Sequence, residues 1–354
     1  MDSLTQACLG AAIGGAVLGR RLGRKAVLAG AILGTLPDLD VVIDYGDAVA
    51  DYTYHRGFSH SLLVLAALSA LLAGLTARLA PAWGIPLRHW ATFYAACLLT
   101  HPLLDAFTTY GTQLWWPLPA SPVSWASIFI IDPLYTLPLL ISVLYVLARG
   151  LRQRALHLGL ALSTLYLAFS LGAKLVIDQR MAPVLAARGL QEAPRLVQPT
   201  PFNTLLWRIT VVEGDHYYEA LSGLFDSTPP TLERFPRGGE HADTALALPS
   251  GRRLQWFAGP FLRYRVKQDN DTAWLIATDL RLGFPGFHPF NFRLAQREDG
   301  KWQPVTTREV PGRPADTAAL MKLLNRAITP DMSLCPSAFF QPEKVAGPST
   351  CPPP

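Results

Sequence analysis

Aspartate and histidine are costly in apolar sequence, so where they occur there they mark chemistry. In the first half of this 354-residue chain seven of them fall into a pattern: Asp38, Asp40, His55, His60, His101, Asp105 and Asp132. Asp38 and Asp40 lie in Pro37-Asp38-Leu39-Asp40. Alternate residues of an extended stretch point the same way, so both carboxylates can face one ion. His55 and His60 bracket His55-Arg56-Gly57-Phe58-Ser59-His60. His101 and Asp105 are four apart in an apolar run and share one helical face. Imidazole with carboxylate is a donor set for zinc first, and for manganese or iron. A metal so held lowers the pKa of a bound water, which then attacks an ester or phosphoester. The expected ligands are Asp38, Asp40, His55, His60, His101 and Asp105. Arg56 is the expected catalytic cation for an anionic substrate or transition state, and Asp132 a carboxylate that manages the proton.

The elements that must hold these groups follow from composition. Only 16% of the residues are charged and 50% are hydrophobic, against roughly 25% charged in a typical soluble domain. Residues 1–180 hold 12 Lys/Arg, 9 Asp and no Glu, so the first half is apolar and the second half reads as soluble. Disorder, collagen, coiled coil and a disulfide-dense mini-protein are excluded. The expected fold is an α-helical membrane bundle of four to six transmembrane helices over residues 1–178. Its clearest spans are Ser61–Ala80, Trp90–Phe107, Ser127–Ala148 and Ala155–Ile177, each about long enough for a ~30 Å hydrocarbon core. Two shorter segments, Ala7–Gly19 and Ala26–Leu36, precede them. Their glycines at four-residue steps allow close helix approach. Asp2 stands where a cleavable signal would carry Lys or Arg.

Arg20, Arg21, Arg24 and Lys25, then Arg78 and Arg88, then Arg149, Arg152 and Arg154, mark alternate connections as cytoplasmic by the positive-inside rule. The seven chemical residues then share the outer face of the membrane, and everything after residue 178 lies outside as well, which is the periplasm if the membrane is the bacterial inner membrane that the family resemblance below implies. The charge pattern gives no reason to expect nucleic-acid binding; membrane lipids are the expected partners.

Residues 179–310 are expected to form a small β-rich domain, with strands in Thr204–Val212, Leu254–Val266, Thr272–Leu282 and Phe290–Ala295. A Pro-rich tail, 311–354, follows and is expected to be loose. Cys8 and Cys97 read as packed thiols, and a periplasmic tail permits a Cys335–Cys351 disulfide. His216, His241 and His288 have no partner at ligand spacing.

These residues also carry a resemblance. Met1-Asp2-Ser3-Leu4-Thr5-Gln6, Gly34-Thr35-Leu36-Pro37-Asp38-Leu39-Asp40, His55-Arg56-Gly57-Phe58-Ser59-His60-Ser61 and His101-Pro102-Leu103-Leu104-Asp105 stand in this order. So does Ile131-Asp132-Pro133-Leu134-Tyr135. The set resembles the YdjM-type inner-membrane proteins, described as metal-dependent hydrolases and as LexA-binding or LexA-regulated. The resemblance covers residues 1–180 and implies a membrane hydrolase using a divalent metal, without a substrate. Many relatives carry His where this chain has Gln6, which leaves Gln6 a hydrogen-bonding role beside the ligands.

Two other readings use the same residues. One is a metal-free lipid phosphatase in which His101 attacks phosphorus, Asp105 orients it and His60 is the acid. The other is a non-enzymatic ion-binding sensor or interaction protein. A site at headgroup depth favours a lipid or lipid-linked substrate for either hydrolase.

Overall fold

Two glycine-rich helices open the chain, α1 (Ser3–Leu22) and α2 (Arg24–Thr35), reversing at Gly23 with φ +58°. They meet backbone to backbone. A Cβ on Gly10 would stand 2.2 Å from the Gly30 carbonyl oxygen, and one on Gly30 2.1 Å from the Gly10 carbonyl oxygen. Only glycine permits this approach. The computed structural model describes residues 1–269, 271–312 and 316–340. The chain divides into a helical unit, Met1–Ile43 with Tyr54–Ser170, and a β-rich unit, Asp44–Thr53 with Leu171–Pro354.

A 3₁₀ turn, Leu36–Val42, follows α2. The short helix α3 (Ala48–Tyr54) comes next, then a 3₁₀ turn at Phe58–His60 and α4 (Leu62–Leu79), capped by Ser61. After α5 (Leu87–Ala106), a long irregular segment leads to α6 (Pro133–Arg149) and α7 (Gln153–Ala186). Buried Ala12, Leu18, Phe93, Leu139, Val146 and Leu156 join α1, α5, α6 and α7 in one apolar core.

The expectation of four to six transmembrane helices is corrected. Among the described residues two helices are long and apolar enough to cross a membrane, α4 and α7. Ser127–Ala148 is mostly apolar, but its helix starts only at Pro133, behind the Asp132 cap, and at 17 residues is short. The helix that covers the expected span Trp90–Phe107, α5, begins earlier with Arg88 and His89 and carries His101, Pro102 and Asp105 near its other end, which dilutes its apolar run.

The β-rich unit holds two four-stranded antiparallel meanders. The first is β1 (Arg195–Pro199), β2 (Leu206–Glu213), β3 (His216–Gly223) and β4 (Glu233–Pro236). The second is β5 (Leu262–Asp269), β6 (Thr272–Asp279), β7 (Asn291–Glu298) and β8 (Lys301–Glu309). Between them, the first half of the expected strand Leu254–Val266 is the end of a helix, Pro249–Ala258, stopped by Gly259 at φ +61°. The end of α7 packs Ile177, Met181 and Leu185 against Trp207, Ile209 and Val211 of β2. From α3, Tyr52 donates to Asp279 (2.9 Å), and the backbone N–H of Val49 donates to Thr307 (3.0 Å).

Thr317–Ile328, inside the expected tail, is an amphipathic helix capped by Asp316. Its Arg326 makes a buried pair with Asp226. Cys335 is disulfide-bonded, while Cys351 lies outside the described residues. Cys8 and Cys97 are buried free thiols.

His288 is buried and its Nδ1–H donates to the Leu282 carbonyl (3.2 Å). Burial first, then the charges of Arg208 and Arg263, hold its pKa well below the ordinary value. The unfolded chain protonates this imidazole near pH ~6.5 and the folded chain does not. Stability is therefore full above ~6.5 and falls as pH drops below it, by about 1.4 kcal/mol at about pH 5.5. Melting of the β-rich unit in the full chain should show this slope, and His288→Gln should flatten it. An unchanged slope in the variant would refute the assignment.

Candidate metal centre

Pro37 opens the turn after α2, and the turn is 3₁₀ rather than extended. Successive residues of a 3₁₀ helix rotate by about 120°, so residues two apart diverge. Asp38 therefore faces one way and Asp40 another. The Phe58–His60 turn, launched from Arg56 at φ +60°, delivers His60. A non-glycine residue in that region is strained, a cost that clusters at functional sites. One turn of α5 separates His101 from Asp105, both buried.

These four side chains meet. His60 Nε2 lies 3.1 Å from His101 Nε2, 3.2 Å from Asp105 Oδ2 and 3.5 Å from Asp38 Oδ1. His101 Nε2 lies 3.3 Å from Asp38 Oδ1 and 3.6 Å from Asp105 Oδ2. All four ligand atoms fall within 4.8 Å of one another. Donors about 2.0–2.2 Å from a tetrahedral zinc stand roughly 3.4 Å apart. Five of the six edges, at 3.1–3.6 Å, match that cage, and the sixth, between the two carboxylates, is within 4.8 Å.

The imidazole protons point away from its centre. His101 Nδ1 lies 2.6 Å from the Gly34 carbonyl, which can only accept, so Nδ1 carries the proton. Ser59 Oγ donates to Asp40 Oδ2 (2.7 Å) and is left to accept from His60 Nδ1 (2.9 Å). With both imidazoles neutral, the two Nε2 atoms are then bare and their lone pairs face each other at 3.1 Å. That arrangement is repulsive without a cation between them. Asp38 Oδ2 is buried with no hydrogen-bond partner. The donor set and its spacing fit a divalent ion.

Asp40 and His55 form the layer behind. His55 Nδ1 meets Asp40 Oδ1 at 3.0 Å, and Asp40 Oδ2 also accepts from the Arg56 backbone N–H (3.0 Å). Burial raises the Asp40 pKa, yet its bonds to His55 and Ser59 and the nearby His60 bring it below the ordinary value. Gln6 Nε2 donates to Asp105 Oδ1 (3.1 Å) and to the His101 carbonyl (3.2 Å), and the Met1 amino group also donates to Asp105. Arg56 is buried: Nε lies 3.3 Å from Asp105 Oδ2, Nη1 donates to Thr108 (3.2 Å), and the guanidinium covers the Tyr110 ring. Asp132 caps α6, accepting from Leu134 and Tyr135 backbone N–H groups and from the Tyr166 hydroxyl.

The reading of residue types thus named the four clustered side chains. It gave no role to Ser59, Gly34, Thr108 or Tyr110. Ser59 was the findable one, because a hydroxyl beside a ligand histidine is a ready orienting group.

A model of the YdjM inner membrane protein family matches residues 1–176. The inner membrane protein YbcI of Escherichia coli (strain K12) is 39% identical over 119 residues, 33% of this chain and 67% of that protein. No solved structure matches the chain.

Proposed function

We propose, for a chain that belongs to the YdjM family of inner membrane proteins, that Asp38, His60, His101 and Asp105 hold one divalent ion and that the site hydrolyses a lipid ester or phosphoester. The observation that carries this is the pair of imidazole Nε2 atoms 3.1 Å apart, flanked by two carboxylates. When bound, the ion supplies Lewis acidity and a water acidic enough to react near neutral pH. Zinc suits the two imidazoles best; manganese or iron are the alternatives. Asp40 and Ser59 orient His60, the Gly34 carbonyl orients His101, and Gln6 and Arg56 hold Asp105. Arg56 works through Asp105, and Asp132 serves as a helix cap.

The chain is an inner-membrane protein with at least two membrane-spanning helices. Arg20, Arg21, Arg78, Arg88, Arg149 and Arg154 lie at or next to the helix ends opposite the cluster. The positive-inside rule then supports an outward-facing site and a periplasmic β-rich unit, as does the disulfide at Cys335. Asp38 is the cluster's accessible member, its side chain 19% exposed. The turn that carries it also exposes Leu39, Val41 and Val42. His60 stands two residues before the α4 span. Apolar exposure beside a span favours substrate approaching from the lipid.

One observation favours a second reading. Four protein donors fill a tetrahedron, as in sites that hold an ion without turnover. The metal-free phosphohistidine reading is weaker, because His101 is oriented by a backbone carbonyl and not by Asp105.

The test is turnover of phosphatidyl phosphoesters and carboxylic esters by purified protein in mixed micelles. We expect hydrolysis that a chelator abolishes and Zn²⁺ or Mn²⁺ restores. Bound metal with no turnover across both substrate classes would favour the ion-holding reading.

A further inference from the structure

The second sheet gathers arginine on one face. Cross-strand pairing sets Arg265 opposite Ile276, Ile276 opposite Arg293, and Arg293 opposite Arg308. Directly paired residues share a face, so the three arginines form one row across β5, β7 and β8, with strands about 4.8 Å apart. Arg263 and Lys267 lie on either side of Arg265 on that face, because alternate residues of a strand point the same way. Lys267 pairs with Trp274, whose ring lies 3.9 Å from the Arg293 guanidinium carbon. That contact fixes Arg293 to this face independently of the register.

Five cations stand there. Among the described residues, the carboxylate within 4.0 Å of one of them is Asp269, half-exposed and 3.8 Å from Arg293. A solvated face would let its arginines spread into water. Instead Arg263, Arg265 and Arg293 each have a buried Nε with no hydrogen-bond partner. Burial first, and then the charge of Arg263, lower the Arg265 pKa. Lys267 and Arg308 are exposed at the rim. This is a surface short of anions, with unused donors already turned out of water.

The unit bearing this face starts directly on a membrane span. α7 runs unbroken from Gln153 to Ala186, meets the length and apolarity of a span, and ends inside the β-rich core through Ile177, Met181 and Leu185. Residues 187–194 are all that separate this helix from β1, so the β-rich unit is tethered to the bilayer by a short connection and lipid phosphates are the anions at highest local concentration. We propose that Arg265, Lys267, Arg293 and Arg308 bind the headgroup phosphates of anionic lipid in the leaflet that α7 leaves. Guanidinium groups suit phosphate by their paired donors. The inference does not depend on the metal centre.

The test is phenylglyoxal labelling of the full chain in nanodiscs, read by mass spectrometry at each arginine. The discs are phosphatidylcholine alone, phosphatidylcholine doped with phosphatidylglycerol, and phosphatidylcholine with millimolar inorganic phosphate. Phosphatidylglycerol should slow labelling of Arg265, Arg293 and Arg308 several-fold while the exposed Arg234 is unaffected. About 1 M salt, where the screening length is ~3 Å, should erase the effect. Arg308→Gln, on an exposed edge-strand position, should weaken protection of Arg265 about five-fold. Equal labelling in all three discs overturns the proposal. Protection by inorganic phosphate with none from phosphatidylglycerol overturns the lipid as its source.

Discussion

Purified in detergent, the wild-type chain is expected to carry close to one divalent ion per molecule, and a His101→Ala/Asp105→Ala variant essentially none. The variant removes two of the four donors, one imidazole and one carboxylate. Structural zinc sites are worth on the order of 10 kcal/mol, so losing half the ligands should lower affinity by more than about 10⁴-fold, below what survives purification. Asp132→Asn, which changes a helix cap bonded within α6 and to α7, should retain the ion. Metal content by mass spectrometry reads all three proteins. A wild type that stays empty after reconstitution with Zn²⁺ and Mn²⁺ would refute the metal centre and leave the two bare Nε2 atoms to be bridged by a proton.

Gly30→Ala is expected to be the most damaging single methyl group in the helical unit. Its Cβ would lie 2.1 Å from the Gly10 carbonyl oxygen and 3.0 Å from the Gly14 Cα. Both are backbone atoms, so no rotamer change relieves the clash and α1 must move away from α2. Overpacking costs typically 1–3 kcal/mol when side chains can adjust; here about 3 kcal/mol or more is expected. The damage should reach the metal centre as well, because α1 supplies Gln6 to Asp105 and α2 supplies the Gly34 carbonyl to His101. A lower melting temperature in detergent should come with a lower metal content. Gly74→Ala, on α4 with nothing within 4 Å of the new methyl, should leave both unchanged. Loss of stability with full metal content would mean that the helix pair does not position the ligands.

The chemistry was more legible than the architecture, for a physical reason. Burying Asp or His in apolar sequence is costly, so residue type alone picked out Asp38, His60, His101 and Asp105. What separated Asp38 from Asp40 was the choice between an extended and a 3₁₀ turn, and Pro37 is compatible with both. The membrane count was overestimated because apolar length does not show where a helix begins. Asp132-Pro133 is a cap followed by a first-turn proline, and it starts α6 six residues inside an apolar run.

In the β-rich unit β2 stood out as an apolar, β-branched run. β3 did not, because Glu219 interrupts it and is tolerated only by pairing with Arg208 across the sheet. The helix Thr317–Ile328 had a readable signal, an Asp cap ahead of periodic apolar residues, but the prolines around it read as a loose tail.

The short helix α3 has a consequence for synthesis. Residues 44–53 belong to the β-rich unit, yet they fall between the turn that carries Asp38 and the turn that carries His60. The chain leaves the helical unit and returns to it across a segment whose partners are made much later: Tyr52 binds Asp279, 227 positions on, and Val49 binds Thr307, 258 positions on. At about 5–20 residues per second, a ribosome needs roughly 10 to 50 s to deliver those partners. Through that interval the two ligand-bearing turns are joined by an unanchored loop. The segment that joins the two ligand-bearing turns therefore gains its own partners only once strands near the far end of the chain have been made.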